Sequence, residues 1–147
     1  MTDTPPNMPQ LLNEAKRWFD DALLAGMTAA GEQPVTAAQA AVFAALDPEG
    51  TSISELARRM GVTRQTTHQA VHSLISVGLL QQTPDPSSAR SRIVRTTPEG
   101  ARAHERAQVM LAAVEGVLAE RIGVRAGLLR DILTRPWGEP PVLTAGS

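Results

Sequence analysis

The sequence predicts a mainly α-helical fold carrying one small β-hairpin. Three observations lead there. Apolar residues recur at helical spacing through most of the chain. Helix-start residues (Thr36, Ser52, Thr63, Thr97) alternate with helix-stop residues (Gly31, Pro48, Gly61, Gly78). Between Leu79 and Thr96 the helical pattern lapses into two β-prone runs around a stretch rich in Pro and Ser. The composition agrees: hydrophobic residues make up 42 %, with only two Phe, two Trp and no Tyr. That favours close-packed helices over an aromatic-rich sandwich.

Residues 1–10, with Pro5, Pro6 and Pro9, are expected to be a disordered tail. A first helix follows from Leu11. Leu11, Leu12, Ala15, Trp18, Phe19, Ala22 and Leu23 share one face, and Gly31 and Pro34 end it. Thr36 and Gln39 form a capping box opening a helix through Val42, Phe43 and Leu46, stopped at Asp47-Pro48-Glu49-Gly50. Ser52 and Glu55 make a second capping box for a short helix with Leu56, Ala57 and Met60, ended by Gly61. Thr63 caps a longer helix over 64–77, and Gly78 ends it. LLQQT and RIVRT then flank PDPSSARS, a tip longer than a tight turn and expected to be mobile. Thr97 with Pro98 starts a helix carrying Met110, Val114, Val117 and Leu118. His104 lies in its charged stretch ARAHER and is expected at the surface or a hinge. A last helix spans about 124–134, before an extended tail over 135–147.

Several function classes drop out. Without cysteine there is no disulfide framework, thiolate zinc site or thiol sensor. No glycine-rich phosphate loop, Ser/His/Asp set or pair of carboxylates in an apolar setting is present, so no enzyme and no cofactor are expected. No apolar run approaches the ~20 residues that span a bilayer, and the first ten residues lack the basic and apolar stretches of a signal peptide. A soluble cytoplasmic location, without membrane contact, is the expectation. Net charge is −1, but it is unevenly spread. Residues 1–50 carry two basic and seven acidic side chains, 51–106 eight arginines against four acids, and 107–147 four of each. The middle is a basic module of net +4 between acidic and neutral flanks.

Within that module, SISELARRMGVTRQTTHQAVHSLISVGLL has the proportions of a helix-turn-helix. Ala57 is small where two helices approach, Gly61 suits a positive φ, and Val62 fits the corner between helices. Of the adjacent Arg58 and Arg59, one could touch backbone phosphate, or both could complete the helix dipole. On the second helix Thr67, Ala70, Val71, Leu74 and Ile75 gather on one side; Gln65, His68, Gln69, His72 and Ser76 gather on the other. The outer face is polar yet acid-free. An ordinary solvated helix would use Lys and Glu, whereas amides and hydroxyls read base edges and acids would repel phosphate.

LARRMGVTRQTTHQAVHSLISVGLL, the hairpin and RTTPEG together resemble the MarR family of bacterial regulators. The resemblance covers roughly residues 11–134, and its specific part lies at 52–100. Its strongest features are the helix-turn-helix, the exit through Gly78-Leu79-Leu80 into a strand, and Thr97-x-x-Gly100 opening the long helix. It implies a winged helix-turn-helix over 36–100, an N-terminal dimerisation helix over 11–35 and C-terminal dimerisation helices over 101–134. It implies a homodimeric transcriptional regulator, expected to be a repressor, on palindromic double-stranded DNA. Thr63, Gln65, Thr66 and Gln69 would face bases, with Arg64 near phosphate. Arg90 would match the wing-tip arginine that enters the minor groove, and Arg92, on the same side of the strand, would meet the backbone. Small aromatic or phenolic effectors of that family lodge between dimer helices and DNA-binding part. Trp18, Phe19 and Met27 could line such a pocket, although dimer core is the plainer role for them. Ser88 and Ala89 replace the usual acid and arginine of the wing, and Gln81 and Gln82 replace residues that are often basic. These departures weaken the electrostatic contribution.

Two rival readings find less support. His68 and His72 stand at i, i+4 and could ligate a metal, but no acid or cysteine accompanies them, so no metal site is expected. A winged helix serving protein–protein contact, without a DNA target, would suit the near-zero net charge. The basic 51–106 window and the acid-free face argue against it.

Overall fold

A computed structural model describes residues 3–33 and 35–146. Pro34, expected to help end the first helix, lies outside them. Six helices and a two-stranded antiparallel sheet run in the order α1 (Met8–Ala29), α2 (Ala37–Ala45), α3 (Ile53–Met60), α4 (Arg64–Ser76), β1 (Leu80–Asp85), β2 (Ser88–Thr96), α5 (Pro98–Ile122) and α6 (Arg125–Thr134). Met1–Ala112 and Ala113–Ser147 are separate compact units, with the boundary inside α5.

Local capping chemistry sets the helix starts. α1 begins at Met8, inside the expected tail, because Asn7 and Gln10 form a reciprocal capping box with Pro in the first turn. Thr36 and Gln39 make the expected box for α2. At α3 only half of the expected box forms. Ser52 accepts from the Glu55 N–H at 3.2 Å, but the Glu55 carboxylate turns to Arg58 and Arg59 instead. Gly61 adopts φ 66°, ψ 31°, the left-handed conformation the turn requires. Val62, expected to fill the corner, is 41 % exposed; only its N–H is engaged, donating to Ala57 O.

The core of the first unit is Val42, Leu56, Ala70, Val71, Leu74, Leu80 and Val94, joining α2, α3, α4 and the sheet. Burying these side chains contributes roughly 1.5–3 kcal/mol for each large one. Thr67 is fully buried, and its hydroxyl donates to Thr63 O. Thr51 exchanges both backbone hydrogen bonds with Val94, adding an isolated bridge that ties the α2–α3 loop to the wing.

The junction from α4 through the sheet into α5 is tightly locked. Thr97 N–H donates to Leu79 O at 3.1 Å, its hydroxyl donates to Gly78 O at 2.6 Å, and the same oxygen accepts from Gly100 N–H at 3.0 Å. Gly100 packs directly on the Leu79 carbonyl, where a Cβ would overlap it. Gly78-Leu79-Leu80 and Thr97-x-x-Gly100, separate features of the sequence, therefore meet as one joint.

In the second unit, Gly123 at φ 64° breaks the helical run between α5 and α6, and Arg130 pairs with Glu115. The described residues beyond α6 are non-helical, and Trp137 Nε1 donates back to Ile132 O at 3.2 Å. Among the described residues of this unit none is buried, and Val124, Leu128, Ile132, Leu133 and Trp137 are all exposed.

Candidate nucleic-acid interface

α4 presents the two faces its sequence requires. Thr67, Ala70, Val71 and Leu74 are buried, while Gln65, His68, Gln69, His72 and Ser76 lie outside the core. No acidic residue occurs anywhere on α4. The His68 and His72 rings lie 4.1 Å apart, tilted 38°. Among the described residues no cluster of three metal-ligating side chains occurs.

The N-terminus of α4 is capped by Thr63, whose hydroxyl accepts from Thr66 N–H at 3.1 Å and donates to Thr66 Oγ1 at 2.9 Å. Thr66 therefore keeps its own hydroxyl proton for an outside acceptor. Both threonines are exposed at an end where backbone N–H groups and the helix dipole favour an anion. Arg64 leans back on α3, donating to Ser54 Oγ at 2.5 Å.

The wing differs from the expected long mobile tip. Both strands continue inward until only Pro86 and Ser87 remain as a turn. Asp85 drives this: its carboxylate accepts from the Ser87 N–H at 2.9 Å and hydroxyl at 2.8 Å, and the same bonds hold its pKa below the ordinary value. Asp followed by Pro is a β-turn start, which the Pro/Ser composition conceals. The register jumps from Pro84↔Arg92 to Asp85↔Ser88, so Ala89, Arg90 and Ser91 bulge from β2. Pro84, without an N–H, cannot sustain the ladder there. Arg90 thus sits on a strand bulge near the turn rather than on a loop tip, and it is exposed. Arg92 is exposed too, with one long 3.4 Å contact to Gln82 O.

Arg59 is built into the fold. It donates to Ala45 O at 2.8 Å, Asp47 at 3.0 Å and Glu55 at 3.0 Å, clasping α3 to the end of α2. Hydrogen bonds from Arg58 and then Arg59 lower the Glu55 pKa from 4.5 to about 2. The Arg59 hydrogen bond likewise lowers Asp47.

A cavity of about 760 Å³ lies among α1, α2, the start of α5 and the ends of α3 and α4. Met27 lines it and is 6 % exposed. Trp18 and Phe19 do not line it; they pack edge-to-face on each other, ring centroids 5.1 Å apart. Sequence reasoning misses two of its residues, Phe43 and His104, which stack at 5.6 Å and 13°. His104 faces this cavity rather than serving a charged surface or hinge. No local pattern links residues so distant in the chain.

An acid-free helix of amides and hydroxyls, held by a second helix and followed by a basic hairpin, is the arrangement of a winged helix-turn-helix. Residues 33–91 match the model of the MarR family, and no curated protein sequence matches the chain significantly. The repressor CouR, solved bound to a 23-mer DNA duplex, is 27 % identical, with a TM-score of 0.70 over 87 % of this chain and 91 % of that one. PcaV from Streptomyces coelicolor, solved with its natural ligand, is 26 % identical, with a TM-score of 0.65 over 89 % of each chain. MarR from E. coli, in its reduced form, shares the fold at 17 % identity, with a TM-score of 0.73 over 89 % of this chain and 96 % of that one. Over residues 33–91 the chain thus resembles the MarR family, and it shares the fold of these regulators over most of its length.

Proposed function

We propose that this chain is a transcriptional regulator: a cytoplasmic homodimer that binds a palindromic operator, represses transcription there, and is released by a small aromatic effector. The exposed, acid-free face of α4 carries the reading. Gln65 and Gln69 offer the paired donor and acceptor that suit adenine in the major groove, and Thr63, Thr66, His68 and His72 flank them. Arg64, at the start of α4, would meet phosphate. Arg90 and Arg92 on the wing would follow the minor groove and backbone. The likeness to CouR, solved bound to a 23-mer DNA duplex, supports a DNA-binding role.

Dimerisation is supported by the apolar residues left outside. Met8, Leu11 and Leu24 of α1 are exposed, as are the apolar side chains of the second unit. A two-fold partner would cover such surface. The cavity with Met27 supports an effector site, with Trp18 and Phe19 assigned to packing instead. Selecting bound fragments from a random duplex pool tests the proposal. It should return an inverted repeat with half-sites about 34–36 Å apart; a single asymmetric half-site, or no enriched sequence, would contradict it.

A further inference from the structure

We propose that His68 and His72 work as one proton-holding pair on the face of α4 that meets DNA, so that duplex binding takes up protons and tightens as the medium turns acid. This rests on the DNA-binding reading above and adds a dependence on pH. The two imidazoles stand one turn apart on α4, their ring centroids 4.1 Å apart and their planes tilted by 38°. Both side chains are exposed, and among the described residues their contact is this ring pair. Imidazole is the one ordinary side chain whose charge changes between about pH 5 and pH 8.

The fold offers the pair no counter-charge of its own. α4 carries no acid, and its one arginine, Arg64, donates to Ser54 on α3. The elements packed against α4 are α2, α3 and β1. α2 has no charged residue. On α3 the Glu55 carboxylate is held by Arg58 and Arg59. On β1 the Asp85 carboxylate accepts from Ser87. A proton reaching the pair in the free protein therefore finds no carboxylate beside it. DNA supplies what is missing, since phosphates line both edges of the groove in which such a helix lies.

Two charged rings this close repel each other, so the first proton is taken up more readily than the second and the pair titrates as a unit. Phosphate favours the charged form, so the complex holds a proton more tightly than the free protein does. Affinity for duplex is then gained as pH falls through the imidazole range and lost as pH rises above it. The Glu55 clasp keeps its charges throughout that range, because its carboxyl is lowered to about 2.

Anisotropy titrations of the full chain test this at fixed ionic strength, with a chelator present to exclude metal. They run from about pH 8 to about pH 6 on a labelled duplex recovered by the selection above and on a scrambled duplex of equal length. Affinity should rise by about tenfold or more across that window on both, since phosphate is common to both. His68→Gln or His72→Gln alone should keep most of the rise, because the remaining imidazole titrates without a charged neighbour. The double variant should shrink it to less than about twofold, with circular dichroism unchanged. His104→Gln removes the third histidine of the chain and should leave the rise in place. Calorimetry in two buffers of different ionisation enthalpy counts the protons: about one per chain for the parent, and none for the double variant. A flat affinity across the window, a rise that survives in the double variant, or one that vanishes with either histidine alone would overturn the proposal. So would the absence of binding to either duplex at any pH. An empty selection with the rise intact on the scrambled duplex would count against base reading and leave the proton linkage standing.

Discussion

Replacing Gly100 by alanine isolates the joint that ties α5 to the wing. Inside a helix the change should help, since alanine is favoured over glycine by about 1 kcal/mol. At this position the new Cβ would overlap the Leu79 carbonyl oxygen, a backbone atom that no rotamer change can move away. Overpacking of that kind costs about 1–3 kcal/mol. Backing α5 off would also break the Thr97 bonds to Leu79 O and Gly78 O, each contributing about 1 kcal/mol. The net is a loss of about 2–4 kcal/mol, or a fall in Tm of roughly 5–15 °C. Gly116, on the same helix, has no neighbouring atom within 4 Å of the place a Cβ would take, so Gly116→Ala should gain up to about 1 kcal/mol. Urea denaturation followed by circular dichroism, at one fixed protein concentration, compares the two. A Gly100→Ala protein as stable as the parent, or two variants shifted alike, would refute the reasoning.

Other perturbations address the wing, the clasp and the assembly. Arg90→Ala should lower duplex affinity and flatten the log–log salt dependence by up to about one unit, more strongly on A·T-rich flanks; titrations at several salt concentrations check this, and unchanged slopes would remove Arg90 from the interface. Because the Glu55 pKa is lowered to about 2, the stability its ion pairs contribute is fully present above the ordinary carboxylate range and is lost as pH falls toward 2. Asp47, also lowered, acts in the same direction. In urea titrations Glu55→Gln should therefore lose less stability than the parent as pH falls from about 5 to about 2.5, with the difference shrinking in high salt because these groups are exposed. Light scattering at micromolar concentration should give the mass of two chains; a folded monomer would contradict the dimer.

What is legible in the sequence is local. Thr36, Ser52, Thr63 and Thr97 announce helix starts within a few residues, and the split of α4 into two faces follows from its period alone. Asn7-x-x-Gln10 is equally legible as a capping box, but the prolines around it carry the compositional signature of disorder. The wing turn is hidden because Asp85 organises Ser87 through side-chain bonds that composition does not reveal. The stack of Phe43 on His104, the three-way grip of Arg59 and the bridge of Thr51 to Val94 join distant segments, and no spacing rule encodes them. Arg58 and Arg59 look alike in sequence as phosphate-contact candidates. Only the fold separates them, by giving Arg59 to Ala45, Asp47 and Glu55.

The central claim is that the outer face of α4 reads bases. Binding of the parent and of Gln65→Ala and Gln69→Ala to the selected operator and to a scrambled duplex of the same length tests it most directly. Each substitution should cost roughly 1–3 kcal/mol on the operator and almost nothing on the scrambled duplex. Equal losses on both duplexes, or none on either, would contradict the account.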